Sequence, residues 1–255
     1  MNRRIVTADD LGLREDVDLG IIRAHRAGAV THASWLAGGE TSREVTQIVT
    51  REAPGLGVGL HLSLSQTRPS APNDRLGGLI RSGRFPPNQF AAVRWAWGRR
   101  SRLLAVEAEW EAQADAFEHV WARTPTHLDS HQHVHLAPPF AALAVRLAVR
   151  RGIPRIRAPR GGRPGRSLRG RLEARVFDTL GRRLARLATE AGLLVPDAFD
   201  GFHASGRVTV ADLRAMKARR LDGTTEWMVH PGLRDEPGGY ARRQELEALI
   251  RWSSE

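Results

Sequence analysis

Between Thr126 and His135 the chain reads THLDSHQHVH, which gathers four of its ten histidines and an aspartate into one short stretch. Imidazole nitrogens and carboxylate oxygens are the donors of divalent-metal sites, and they also move protons near neutral pH. The same residue types recur at three other places: Asp9 and Asp10 in IVTADDLGL, His61 in GVGLHLSL and His230 in MVHPG. Singly, each has a plain structural explanation. An Asp-Asp pair after a strand makes a turn or a helix cap, a histidine in an apolar run is a hydrogen-bonded core residue, and one before Pro-Gly belongs to a turn. Together they match the donor set of a divalent cation that leaves positions open to water and substrate. Such a cation brings the pKa of a bound water towards neutrality and polarises a carbonyl. A carboxylate outside the ligand set can take the water's proton, and an imidazole can protonate a leaving amine. Adjacent aspartates in an extended segment point different ways, so one can bind metal while the other addresses water or substrate.

Residues so far apart in sequence need a scaffold that brings them together. Short apolar runs predict strands at Arg4–Ala8, HASWLA, GLGVGLHLSL, PTHLDS, IPRIRA, AFDGF and TEWMV. Helical patterns fall between them. DVDLGIIRAHRAGAV ends at Gly28, and TSREVTQIVTREAP takes a cap from Thr41 or Ser42 and stops at Pro54. Further helices are expected over 101–122, PPFAALAVRLAVRRG, the stretch running to Leu194, TVADLRAMKARR and YARRQELEALIRW; Gln66 to Asn88 reads as a loop rich in Pro and Gly. Alternating strands and helices imply an α/β fold with a mostly parallel sheet, closed at this length into a TIM-like barrel. No internal boundary is visible, so residues 1–255 are expected to form one domain. Asp9, Asp10, His61, Asp129, His131 and His230 all fall at or just past the C-terminal end of an expected strand. In a parallel barrel those ends share one face, where sites are built.

Composition narrows the classes. There is no cysteine, which excludes a disulfide scaffold, thiolate metal sites and a cysteine nucleophile. The start, MNRRIVTADDLGL, lacks the apolar run of a secretory signal, and no window is long and apolar enough to span a membrane, so a cytoplasmic protein is expected. The formal net charge is +11, but Lys217 is the one lysine among 39 basic residues. Arginine spread along a whole chain in this way reads as a genome-wide preference, so nucleic acid is not expected as a partner. The local exception is 155–175, where arginines recur among Gly and Pro. That stretch reads either as a solvated loop leading into a basic helix or as a site for an anionic substrate, lipid headgroup or nucleic acid.

The blocks IVTADDLGL, GIIRAHRAGAVTHAS, GVGLHLSL, PTHLDSHQHVHLAP and MVHPG, in this order and spacing, resemble the YdjC-like carbohydrate deacetylases, which include chitooligosaccharide deacetylases. The resemblance covers most of the chain from residue 4 to about 250. It implies a distorted TIM-like barrel, a divalent metal ion (magnesium or zinc) and hydrolysis of the N-acetyl group of an N-acetylated amino sugar. Carried over by motif, Asp10, His61 and His131 would bind the metal. Asp9 would be the base, and His230 an acid or substrate contact; His127, Asp129 and His133 would support them. His127 and His131 are also spaced as a ligand pair, but PTHLDS reads as extended, so the two need not share a face. The chain departs from the family at Leu11, where Phe is usual, and in stopping at IRWSSE, where members continue to a final strand. That leaves either an open barrel edge or a partner chain covering it, so a homodimer is one of the two expectations. Two alternatives from other classes remain at this point: a non-catalytic binder of anions, lipid or nucleic acid on a hydrolase scaffold, and a metal-dependent phosphoesterase.

Overall fold

The computed structural model describes residues 3–72, 76–162, 168–219, 222–236 and 239–255. Among them the apolar runs become six parallel strands: β1 (Arg3–Leu11), β2 (His32–Trp35), β3 (Gly57–Leu62), β4 (Leu128–Ser130), β5 (Ala198–Asp200) and β6 (Thr224–Val229). Their order in the sheet is β4-β3-β2-β1-β6-β5. The helices are α1 (Glu15–Arg26), α2 (Val45–Glu52), α3 (Gln89–Ala96), α4 (Arg100–Trp121), α5 (Pro138–Arg150), α6 (Leu168–Glu190), α7 (Val210–Ala218) and α8 (Arg242–Ser253). Strand interiors are buried nearly throughout, as expected of parallel strands covered on both faces. β1 is paired on both sides, with β2 in front and six residues of β6 behind.

The expected strand at IPRIRA is not a regular one. It contributes isolated bridges, Leu128 to Ile156 and Arg155 to Leu194. Pro154 and Pro159 flank it and have no N–H to offer a ladder, so bridges form only at Arg155 and Ile156 between them. Even so, this segment bridges the two ends of the sheet. Arg157 N donates to Leu128 O at 2.9 Å on the β4 side, and Phe199 N donates to Arg160 O at 2.9 Å on the β5 side. The curled sheet thus becomes a distorted TIM-like barrel, with its least regular piece as the closing stave. The α2 cap also differs from expectation. The helix starts at Val45 without a side-chain cap, because the Thr41 hydroxyl donates to Asp18 and the Ser42 hydroxyl to Gly39 O. Helix α3, just after the expected loop, was not foreseen; Asn88 caps it by accepting from Ala91 N. Of the arginine-rich stretch, residues 163–167 lie outside the described residues. No helix among the described residues is long and apolar enough to cross a membrane.

Helix α6 lies on the closing stave at Gly181, where an added Cβ would stand 1.8 Å from the Pro159 carbonyl oxygen. Backbone cannot yield there as a side chain tip can. Gly181→Ala is therefore expected to lower stability by about 2–3 kcal/mol, read as a drop in the urea midpoint. An unchanged midpoint would contradict this packing.

Candidate metal centre

The site starts from a distortion in β1. Its pairing with β2 slips between Ala8 and Leu11, and Asp10 sits at φ 73°, in the left-handed region that a non-glycine residue adopts at a cost. The bulge turns the Asp10 side chain into the barrel, where it is fully buried. Its Oδ1 lies 2.9 Å from His131 Nδ1 and 3.6 Å from His61 Nε2, yet makes no hydrogen bond. Its Oδ2 accepts from Arg242 Nη2 at 2.6 Å.

The other nitrogen of each imidazole is already committed. His61 Nδ1–H donates to Asp129 Oδ1 at 2.6 Å. His131 Nε2–H donates to Gln66 Oε1 at 2.8 Å, while the Gln66 amide N–H donates to Pro87 O. These bonds set the tautomers, so His61 Nε2 and His131 Nδ1 present lone pairs towards the Asp10 carboxylate. With these tautomers, three electron-pair donors converge within 4.8 Å of one another in a buried place, and none of them offers a hydrogen to the others. Buried acceptors facing each other are costly unless a cation lies between them, so the residues present fit a divalent metal ion. Although burial works against ionisation, the Arg242 guanidinium beside it holds the Asp10 carboxyl well below the usual carboxylate range.

Asp9 points to a different neighbour. Arg157 grips it through both terminal nitrogens, at 2.7 and 2.8 Å, and also reaches Asp129 Oδ2 at 2.8 Å and Glu226 Oε1 at 2.9 Å. Burial pushes the Asp9 carboxyl up despite Arg157. Asp129, equally buried, goes the other way, because Arg157 and His61 outweigh the burial and hold it well below the usual range. His230 Nε2 lies 4.0 Å from Asp9 Oδ2, and the ring packs on Tyr240 at 4.7 Å between centroids. Burial drives the His230 imidazole down to about 3, so the ring is neutral around pH 7. Asp9, His61, His131 and His230 share a cavity of about 1110 Å³, also lined by Phe177, Phe202, Tyr240 and Asp212.

The remaining predicted residues stand apart from the metal donors. His127 packs beneath Gly59, where an added Cβ would meet its ring at 2.3–2.5 Å, and lies 3.1 Å from Ser34 Oγ. His133 faces the cavity among Phe177, Phe199 and Phe202, and burial holds its ring neutral. His135, in the same stretch, bonds the Arg157 carbonyl at 2.9 Å and so anchors the backbone of that arginine. Gln132 and His133 both have positive φ, 52° and 55°, in the turn that follows β4.

Sequence reasoning missed Arg157, Arg242, Gln66 and Ser34. Two of these left a signal. Arg157 ends an expected strand, as the other site residues do. Arg242 and Glu245 share the α8 face of Leu246 and Leu249, an arrangement that buries them at 2% and 0% exposure.

A parallel α/β barrel with an Asp-His-His cluster at its strand ends belongs to the class of barrel proteins built around a metal-type site. More particularly, the chain belongs to the YdjC-like family, whose description, YdjC-like protein, matches residues 3–252. It is 35% identical over 153 residues to a chitooligosaccharide deacetylase of Enterobacter sp. (strain 638) and 37% identical over 153 residues to one of Salmonella paratyphi B. Each match takes in 58% of this chain and 56% of the relative, so it spans little more than half the length of those enzymes. A solved structure from Enterococcus faecalis V583, described provisionally as a cellobiose-phosphate cleavage protein, superposes with a TM-score of 0.77 at 25% identity, over 98% of this chain and 91% of that one.

Two expectations follow from this geometry. Asp129→Asn removes the carboxylate that orients His61 and should weaken zinc affinity by about 10–100-fold, measured by competition with a chromogenic chelator; unchanged affinity would separate Asp129 from the site. The second concerns Asp18 on α1, which accepts from Gly12 N at 2.6 Å and so holds the turn just after Asp10. Burial raises its carboxyl from 3.8 to about 7. Between those values the folded state binds the proton more tightly than the unfolded chain does. Relative to Asp18→Asn, the wild type should be most stable below pH 3.8, lose stability up to about pH 7 and then level off, as urea unfolding across pH would show.

Proposed function

We propose that this protein is a metal-dependent hydrolase that removes the N-acetyl group from an N-acetylated amino sugar, an oligosaccharide of such sugars or a related glycoconjugate. The observation that carries the reading is the convergence of Asp10 Oδ1, His61 Nε2 and His131 Nδ1, with His61, His131 and the neighbouring Asp9 lining one cavity. Membership of the YdjC-like family and the chitooligosaccharide deacetylases among its relatives support the substrate class. Two imidazoles in a set of three favour zinc over magnesium, which prefers oxygen ligands.

A divalent cation in this site would polarise the acetyl carbonyl and make water a competent nucleophile near neutral pH. The chain's own groups supply the rest. Asp9, made more basic by burial and fixed in place by Arg157, takes the proton of the attacking water. As oxygen adds to the acetyl carbon and the C–N bond breaks, the leaving nitrogen needs a proton. Asp9 holds the proton taken from water and can pass it on, and His230, 4.0 Å from Asp9, is the acid or substrate contact on that side of the cavity. Acetate and the free amino sugar are the products. Tyr240 fixes the His230 ring, and Arg242 keeps Asp10 ionised.

The test is acetate release from N-acetylglucosamine and its short β-linked oligomers, using metal-stripped protein resupplied with zinc, magnesium, manganese or cobalt. Phosphate release from sugar phosphates is followed in parallel. Acetate should appear with at least one metal. Asp10→Ala or His131→Ala should lose bound metal, whereas Asp9→Asn should retain it and fall in kcat by roughly 10²–10⁴-fold. Phosphate without acetate, or metal content unchanged in the Asp10 and His131 variants, would overturn the reading.

A further inference from the structure

Two surface segments flank the mouth of the cavity, and they share an unusual make-up. Residues 76–106 contain six arginines and no carboxylate, and residues 168–176 contain three arginines against one glutamate. Each also bears apolar side chains turned to solvent. In the first, Phe90 is 72% exposed, and Trp97 and Leu104 are exposed as well. In the second, Leu168, Leu172 and Val176 repeat every four residues along one face of α6, with Leu168 76% exposed. Both segments adjoin the cavity directly. Phe90 follows Gln89, which lines the cavity and donates its backbone N–H to the Gln132 side chain at 2.9 Å. Leu172 and Val176 immediately precede Glu173 and Phe177, which line it from α6. Helices α3 and α6 both pack against the 131–136 turn that carries His131.

We propose that this rim docks on an anionic bilayer surface, with the aromatic and aliphatic side chains entering the interface, the arginines meeting lipid phosphates, and the cavity mouth turned towards the membrane. Charge complementarity decides among partners. Arg94, Arg99, Arg100, Arg171 and Arg175 enter no ion pair among the described residues, so their charges remain available to a phosphate surface. A second copy meeting this face about a two-fold axis would set arginine against arginine. A nucleic acid would match the charge but leave the leucines, Phe90 and Trp97 without an apolar partner. Basic side chains beside exposed aromatic and aliphatic ones are the make-up of interfacial anchors, where apolar insertion and headgroup attraction add.

The experiment is co-sedimentation of the full chain with vesicles of phosphatidylcholine alone and with added phosphatidylglycerol, at low and high salt. Wild type should sediment with the anionic vesicles, less so at high salt, and only weakly with phosphatidylcholine. Arg99→Gln with Arg100→Gln should cut partitioning by roughly 25-fold, about fivefold for each arginine. Leu168→Ser with Leu172→Ser, and separately Phe90→Ser with Trp97→Ser, should each cut it by about tenfold or more. All these side chains are exposed and lie outside the metal cluster, so thermal unfolding and zinc affinity should stay unchanged. No binding to anionic vesicles would overturn the proposal. So would binding that the arginine pair abolishes while both apolar pairs keep it, which is the signature of a nucleic-acid-type surface. Self-association that the apolar substitutions dissolve, without vesicle binding, would assign the face to a second copy instead.

Discussion

The structure depends on one buried guanidinium. Arg157 is almost fully inside the barrel and is shared by Asp9, Asp129 and Glu226, which come from three different strands. Three carboxylates buried this close would repel one another and shed their charge without it. With it, they divide their roles. Asp129 stays ionised and holds His61, whereas Asp9 keeps a raised proton affinity. The same arginine belongs to the irregular stave that joins β4 to β5, so barrel closure and site chemistry are a single constraint.

A second cation, Arg242, does for Asp10 what Arg157 does for Asp9. It reaches in from α8 and occupies Oδ2, so that only Oδ1 faces the imidazoles. Each aspartate of the adjacent pair therefore has its own arginine and its own orientation. The left-handed backbone at Asp10 separates the two, and further left-handed residues, Gln66, Gln132 and His133, stand around His131. Such conformations persist only where surrounding contacts over-determine them, and here they cluster where side chains must converge.

The four histidines of THLDSHQHVH illustrate how position outweighs residue type. One faces the metal donors, one braces the barrel interior against Gly59, one joins an aromatic wall and one holds the backbone of Arg157. Their chemistry is the same in water. Inside the protein, the atom each nitrogen faces decides whether it offers a lone pair, donates a proton or simply fills space.

Much of this was legible in the sequence, for local reasons. Buried parallel strands are short apolar runs, and the polar residues just beyond them mark the site face, so β1, β3, β4 and β6 came with Asp9, Asp10, His61, His131 and His230 already at their ends. What stayed hidden rests on distant partners. Arg157 and Arg242 read as surface arginines in an arginine-rich chain, because nothing local records that Asp9 and Asp10 wait for them 148 and 232 residues away. The closing stave looked like a full strand because its apolar pattern does not show that flanking prolines restrict its pairing. Nor does IVTADDLGL show the bulge, since the sheet register that forces Asp10 into a left-handed turn exists only once β2 is in place. Residue types and strand ends are local properties of the chain. Which nitrogen faces which oxygen is set by packing, and only the assembled barrel decides it.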